Sequence, residues 1–448
     1  MALLASIFRA THGGERDLLD NVPGPTPIWL VGNGLDLAGG DLHVKFEAWR
    51  AKYGDLFRFW LFDKPSLVTA KPEHVVRILV EKPDEWIKNV PRAATKPVGG
   101  ESVFRSPGPP DWKPRRVAHP FEQPWVGEFF EGIWPVVRDA TRKRFSPLRG
   151  EVDLYQEILQ CSWASFSLGA LGEVLPHEAF VEHETLLKEV GRRGVVPISI
   201  DPVFWWRRSS WFSRLEARLA RGSIGEGLDL ISRMAKAGTD LSTHRVRDEI
   251  GNIFAAGMKN AAVAASAVTF LLGKHPEWRA RVTKEIADAG GIDAIDRNAL
   301  VSLPVFDRVV KEALRLYPAV AGFVREVAPG RDVELDGHHL PQGTQVFLLS
   351  WVVHRHPELW PDPTRFDPDR FLVEPRPGTY FPFGLGERYC VGRDWTLLVA
   401  KGIVATLLGH EDVTLDASAD FETKLVAVLT IPKNGVPAIV SPKIGAPK

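Results

Sequence analysis

Residues 381–395 read FPFGLGERYCVGRDW, one cysteine set among glycines directly ahead of the apolar helical pattern VGRDWTLLVAKGIVATLLG. Gly384, Gly386 and Gly392 can take backbone conformations that side chains forbid, and they let the chain approach a flat group closely. Backbone N–H groups freed by such a turn can point at the sulfur of Cys390. The helix that follows would lay its positive N-terminus beside it. A cysteine that ligates a metal acts as a thiolate, tuned by burial and by hydrogen bonds. The plainer alternative is a glycine-rich loop before a helix, with a cysteine that is there by accident.

The rest of the chain is ordinary in composition. It has 448 residues, 44% apolar and 25% charged, with 56 Lys plus Arg against 56 Asp plus Glu. The absence of net charge gives no sign of a nucleic-acid partner. Fifteen Trp suit a large apolar interior and a wide ligand pocket. Two cysteines, Cys161 and Cys390, make no disulfide framework and fit a reducing compartment. Cys161 lies in the apolar run LYQEILQCSWASFSLGAL and reads as a core residue. The opening MALLASIF is too short to cross a bilayer, which needs about 20 residues. A cytoplasmic protein is expected, with weak contact at a membrane surface through MALLASIF and the segment WWRRSSWF.

Along the chain, residues 1–21 read as a flexible leader and 22–448 as one domain. LHVKFEAWRAKYG reads as an amphipathic helix, and LFRFWLF with SLVTA as a hairpin. Residues 86–110 read as a long loop. Helical patterns dominate from about 125 to 290, with the aromatic and basic segment 195–213 as an interruption. VELDGHHL reads as a hairpin turning at Asp336-Gly337. DVTLD and LVAVLTI read as strands. The expected class is mainly α with small β-sheets.

The run Phe383-Gly384-x-Gly386-x-Arg388-x-Cys390-x-Gly392 resembles the complete haem-binding signature of the cytochrome P-450 family. KEALRLYP, with Glu312 and Arg315, resembles that family's Glu-x-x-Arg element, and Arg370 in FDPDRF resembles the third member of its structural triad. Trp112 and Arg116 in PDWKPRR are similar to its Trp-x-x-x-Arg helix, and Arg325 to a further arginine past Pro318. The resemblance covers about residues 22–430. It implies the cytochrome P-450 fold, with haem b (iron protoporphyrin IX) between a long distal helix and the helix after Cys390. It also implies Cys390 as the iron ligand and Arg388, Arg325, Trp112 and Arg116 as partners of the haem propionates. Phe383, Gly384 and Gly392 shape the loop.

The sequence departs from that pattern in IGNIFAAGMKNAAVAASAVTFLLGKHPE, where the family's distal helix carries Ala-Gly-x-acid-Thr. Ala256 and Gly257 are present, Lys259 stands at the acid position and Asn260 at the threonine. Gly257, Lys259 and Asn260 are the candidate catalytic residues. A cationic lysine is a poor proton acceptor, and an amide does not readily give up and regain a proton. Asn252, Lys259 and Ser266 also form a polar stripe at seven-residue spacing, so Lys259 can equally snorkel outward. The resemblance implies a monooxygenase for an apolar organic substrate such as a lipid or terpenoid. It would draw electrons from an external ferredoxin, flavodoxin or reductase. The alternatives are a peroxide-using enzyme, either a peroxygenase or a fatty-acid hydroperoxide isomerase or lyase, and a haem-binding protein without turnover.

Overall fold

In the computed structural model the described residues are 19, 21–27, 32–34, 36, 41–61, 64–88, 100–193, 201–416, 418–426 and 428–442. MALLASIF and most of the expected leader lie outside them. At its end, Leu19 and Val22 are both buried beneath the sheet.

Fourteen helices and twelve strands are described. The helices are α1 (Leu42–Tyr53), α2 (Pro72–Val76), α3 (Pro109–Val117), α4 (Val126–Phe145), α5 (Leu154–Leu171), α6 (His177–Arg193) and α7 (Pro202–Ala220). They continue as α8 (Leu230–Lys236), α9 (His244–Lys274), α10 (Pro276–Asp288), α11 (Arg297–Ser302), α12 (Pro304–Leu316), α13 (Ser350–Val353) and α14 (Arg393–His410). The strands are β1 (Leu56–Leu61), β2 (Lys64–Thr69), β3 (Trp86–Lys88), β4 (Gly150–Asp153), β5 (Phe323–Val327) and β6 (Val333–Leu335). After them come β7 (His338–Leu340), β8 (Gln345–Leu348), β9 (Glu411–Leu415), β10 (Thr423–Val426), β11 (Leu429–Pro432) and β12 (Pro437–Pro442). This is the mainly α architecture with small sheets that the sequence implied.

The body is built on α9, which packs against α5, α14, α12 and α7. Thr243 caps it by accepting the Val246 N–H at 3.4 Å. Its alanine-rich centre is buried on most sides, as the core helix of a globular fold must be. By length and composition alone it could cross a membrane, but 78% of its most apolar window is buried inside the protein. A second core lies under the sheet β1-β2-β8-β5-β3, where α1 packs. Only the β2–β8 pair in that sheet is parallel.

Three sequence expectations change. The segment 195–213 does not interrupt the helices over its described part, because α7 starts at Pro202. Asp201 caps it by accepting the Val203 N–H at 2.9 Å. Phe204, Trp211, Phe212 and Leu215 form its buried face, so the aromatic run is helical patterning. The long loop 86–110 begins as β3, paired antiparallel with β5. LVAVLTI is not one strand but the two arms of the β10–β11 hairpin. The hairpin at Asp336-Gly337 is as expected, with φ of 52° and 75° at its two turn residues.

Behind the cysteine loop, Glu312 and Arg315 of α12 form a fully buried pair at 2.7 and 2.8 Å. Arg315 also donates to the carbonyls of His354, Pro363 and Arg365. Glu312 accepts the Asp367 N–H at 2.9 Å and lies 3.4 Å from Arg370. Every donor of the buried guanidinium thus has an acceptor, which a buried charge requires. Removing one partner strands the other. Arg315→Leu should cost about 3–5 kcal/mol, read as a lower urea midpoint by circular dichroism. An unchanged midpoint would show that the pair does not hold the fold.

Candidate active site

The loop that carries Cys390 is closed by its own backbone. Gly384 N–H donates to the Phe381 carbonyl at 3.0 Å, and Cys390 N–H to the Phe383 carbonyl at 2.8 Å. Gly384 and Gly386 sit at φ of 77° and 68°, where a side chain is strained. A Cβ on Gly386 would also strike the Leu79 carbonyl. Gly392 is different, and the expectation of a special conformation there is corrected. Its φ is not positive and its open side is roomy. What it supplies is a backbone N–H to the Cys390 sulfur. Burial pushes the Cys390 thiol up, and the Gly392 N–H, Arg116, Lys88 and Arg393 pull it back toward the anion. Cys161 is fully buried, and desolvation holds its thiol well above the usual range.

Beside the loop lies a narrow cleft lined by Trp86, Lys88, Trp112, Arg325 and Arg388, among others. Lys88 and Arg325 are register partners across β3 and β5, so their side chains share a face. Burial lowers Arg325 to about 10, and burial with Arg325 and Arg116 lowers Arg388 to about 9. Burial, then Arg388 and Arg325, push Lys88 well below the lysine range. None of the three has a carboxylate partner among the described residues. Arg388 donates to the carbonyls of Pro107 and Ser106, Arg325 to that of Val324, and Lys88 to that of Phe104. Trp112 is buried under Arg388, its ring 5.0 Å from the guanidinium, and the buried Trp86 Nε1 has no partner. Cations massed in a low-dielectric cleft need anions. The carboxylates of a haem would find their counter-charges there.

Arg116 is placed otherwise than expected. It donates to the Tyr389 carbonyl at 2.7 Å, pairs with Glu122 at 2.5 Å and lies over the Tyr389 ring. It is near enough to act electrostatically on both Arg388 and Cys390, between the cation cluster and the cysteine loop. Lys88 and Trp86 were not singled out from sequence. Their alternation in Trp-Ile-Lys was visible, but nothing local showed that Arg325 stands opposite.

On the distal side, Ala256 is exposed in the middle of an otherwise buried helix, with Ala255 and Asn260 partly so. A flat cofactor and a substrate would lie against this accessible face of α9. Asn260 borders it. Its Nδ2 donates to the Ala256 carbonyl, and its Oδ1 is buried without a partner. The other two distal candidates are corrected. Gly257 does not lie on that face, because a Cβ there would strike the Phe166 ring of α5. Its smallness allows α5 and α9 to approach. Lys259 neither snorkels outward nor stands free. It is 5% exposed, and its Nζ lies 2.8 Å from Glu184 Oε2 on α6. No spacing in the sequence linked Glu184 to Lys259.

The profile of the family described as Cytochrome P450 matches residues 22–120 and 206–437. The chain belongs to the cytochrome P450 family, and its cofactor is haem b. Among similar proteins is cytochrome P450 4c3 of Drosophila melanogaster, 33% identical over 48% of this chain and 41% of that one. The chain thus spans under half of that relative. Abscisic acid 8'-hydroxylase 3 of Oryza sativa subsp. indica is 25% identical over 96% of this chain and 88% of its own length. The crystal structure of the cytochrome P450DA heme domain shares the fold, with a TM-score of 0.81 at 21% identity, covering 94% of this chain and 98% of that one.

At the N-terminal end of α9, two successive carboxylates hold the segment 100–105 by its backbone. Asp248 accepts the Glu101 N–H at 2.8 Å, and Glu249 accepts the Val103 N–H. Burial is the main cause that raises Glu249 to about 7, and His119 stands 3.8 Å from it, held neutral by burial at about 3. A raised carboxyl favours the folded state below its unfolded pKa, and that contribution fades as pH rises through the folded value. Glu249 therefore costs on the order of 3 kcal/mol at pH 8 relative to pH 4. Glu249→Gln should gain stability over the natural chain at pH 8 and lose that advantage by pH 5. His119 titrates in the opposite sense, so the difference between the two proteins is the readout. A difference independent of pH would refute the assignment.

For Cys390, the reduced holoprotein with carbon monoxide should show the red-shifted Soret band of a thiolate haem. Cys390→His should lose that band while Cys161→Ser keeps it. Retention of the band in Cys390→His would overturn the ligand.

Proposed function

We propose that the chain is a monooxygenase that inserts one oxygen atom into an apolar organic substrate, a lipid or terpenoid. The observation that carries this is the cysteine loop with three buried cations beside it that have no carboxylate partner among the described residues, in a chain that matches the cytochrome P450 family. Residues 22–448 act as one catalytic domain, and an external electron-transfer partner (a ferredoxin, flavodoxin or reductase) supplies the electrons. When bound, haem b supplies the oxygen-activating chemistry through its iron.

This chain's residues do the rest. Gly392 and the positive end of α14 favour the anionic form of the Cys390 sulfur against the burial that opposes it. Arg325, Arg388 and Lys88 hold the propionates, with Trp112 packed beneath. Ala255 and Ala256 leave room for an apolar ligand and exclude water. Asn260 offers its unpaired Oδ1 to a hydrogen-bond donor in the cavity. The peroxide-using alternative rested on Lys259 and Asn260 standing in place of the family's acid and threonine; the likeness to a protein named as a hydroxylase favours the monooxygenase reading over it.

The oxidant test uses one accepted apolar substrate. Product should form with NADPH, a reductase system and dioxygen, and should be about proportional to NADPH consumed. Product from hydrogen peroxide or fatty-acid hydroperoxides alone, with none from the reductase system, would reverse the assignment.

Weak contact with a membrane surface belongs to the same proposal. Val203, Trp205 and Trp206 are exposed at the start of α7, next to Arg207 and Arg208. Indole rings at such a tip favour an interface. Liposome flotation at low salt should recover part of the protein, and less of a Trp205→Ser, Trp206→Ser variant. Equal recovery of both would remove the tip as the contact.

A further inference from the structure

Insertion of one atom of dioxygen releases the other as water. Each turnover therefore consumes two protons as well as two electrons, and the protons must reach a buried cavity. Which titratable groups could carry them is a question of placement.

Successive residues of an α-helix turn by about 100°. Lys259 therefore lies about 40° round α9 from Ala255 and about 60° from Ala256, the residues that mark the cavity. It lies about one turn along α9 from them, with its side chain buried. Its Nζ meets Glu184, whose side chain is 16% exposed and so keeps contact with solvent. Glu184 Oε1 is buried and has no partner. The other polar groups nearby are poor carriers. His183 is fully enclosed by Trp163, Trp211 and Phe254, and burial beside Lys259 holds it neutral at about 3. Tyr155 is buried and its phenol is pushed far up. Glu249 is two turns upstream of Ala256 and is engaged with Val103. Asn260 has no proton to exchange readily.

We propose that Glu184 and Lys259 together relay protons from solvent to the distal cavity, Glu184 being the acid of this site although it lies on α6. This deepens the monooxygenase reading and rests on it. In the relay the Lys259 ammonium gives a proton to a water in the cavity and becomes a neutral amine. Glu184 takes a proton from solvent and passes it to that amine. The ammonium and carboxylate are then restored, with no net change in either residue. The pair suits this exchange, because lysine gives up its proton far more readily than arginine. Two further consequences follow from the ion pair. It ties α6 to α9, and an acid placed at position 259 would face Glu184 as a like charge.

The test separates relay from strut. Lys259→Arg keeps a cation against Glu184 but cannot shuttle its proton. Glu184→Gln keeps the shape of the side chain but removes the acid. With the holoenzyme, a reductase system and one apolar substrate, both variants should lose about 100-fold in product formation, the low end for general acid–base groups. Hydrogen peroxide released per NADPH should rise, and so should the solvent isotope effect on product formation. Substrate binding, read from the haem spectrum, and the thermal midpoint should stay unchanged in Lys259→Arg. If Lys259→Arg matches the natural chain in coupling and isotope effect, the pair is only a strut and the relay is wrong. If the natural chain forms no product with dioxygen and reductase, it is the monooxygenase reading that fails.

Discussion

A carboxylate and a guanidinium with no access to water, Glu312 and Arg315, are the constraint to which the cysteine loop is fastened. Burying two charges costs several kcal/mol per ion unless every lone pair and proton is used. Here the carbonyl of His354 and those of Pro363 and Arg365 complete the guanidinium. The segment after α13 must therefore wrap around α12. The same His354 turns its ring toward the loop, where Nε2 accepts the Phe381 N–H at 3.0 Å. From Phe381 the backbone bonds run on to Gly384, and from Phe383 to Cys390. A buried ion pair is weak evidence of stability in general. In this chain it is better understood as a jig that sets where a sulfur points.

The second constraint is a stack of aromatic rings behind the site. Gly257 of α9 has no side chain where Phe166 of α5 comes in. Phe166 lies parallel to Trp395 of α14, ring centres 4.6 Å apart, and Trp395 in turn meets Phe121 and Phe129 edge-on. The distal helix and the helix after Cys390 are thus spaced by packed rings at their back. A larger residue at Gly257 would move α5 rather than enter the cavity. This explains how a glycine can be essential near a reaction that it does not touch.

What could be read from sequence is what is local in the chain. Cys390 with its glycines, Glu312 with Arg315 and the turn at Asp336-Gly337 each declare themselves within a few residues. The physics behind each acts at short range: left-handed φ, one helical turn, a tight hairpin. Lys88 with Arg325 and Lys259 with Glu184 could not be read that way. Each pair is made by elements that meet only in the fold: Arg325 and Lys259 stood out in their own motifs, but nothing local pointed to Lys88 or Glu184. Arg116 shows the complementary failure. Its position in the helix was legible, but the choice between the propionates and the Tyr389 carbonyl depends on a rotamer. Gly392 was grouped with its neighbours by residue type, although it supplies a hydrogen-bond donor and not a conformation.

The charge pattern across the site follows from the same placement. On the distal side Lys259 and Glu184 cancel, so the apolar cavity carries no net charge from that pair. Beside the cysteine loop, burial lowers Lys88, Arg325 and Arg388, and Arg325 adds to this at Lys88 and Arg388, as like charges do in a poorly solvated space. The protein without haem therefore stores an electrostatic penalty there. Two haem carboxylates and one thiolate would balance three cations. Because a ligand that binds only the folded chain stabilises it, relief of this penalty couples haem loading to folding. The arrangement explains why so much positive charge is tolerated beside a buried tryptophan, in a chain whose charges otherwise sum to zero.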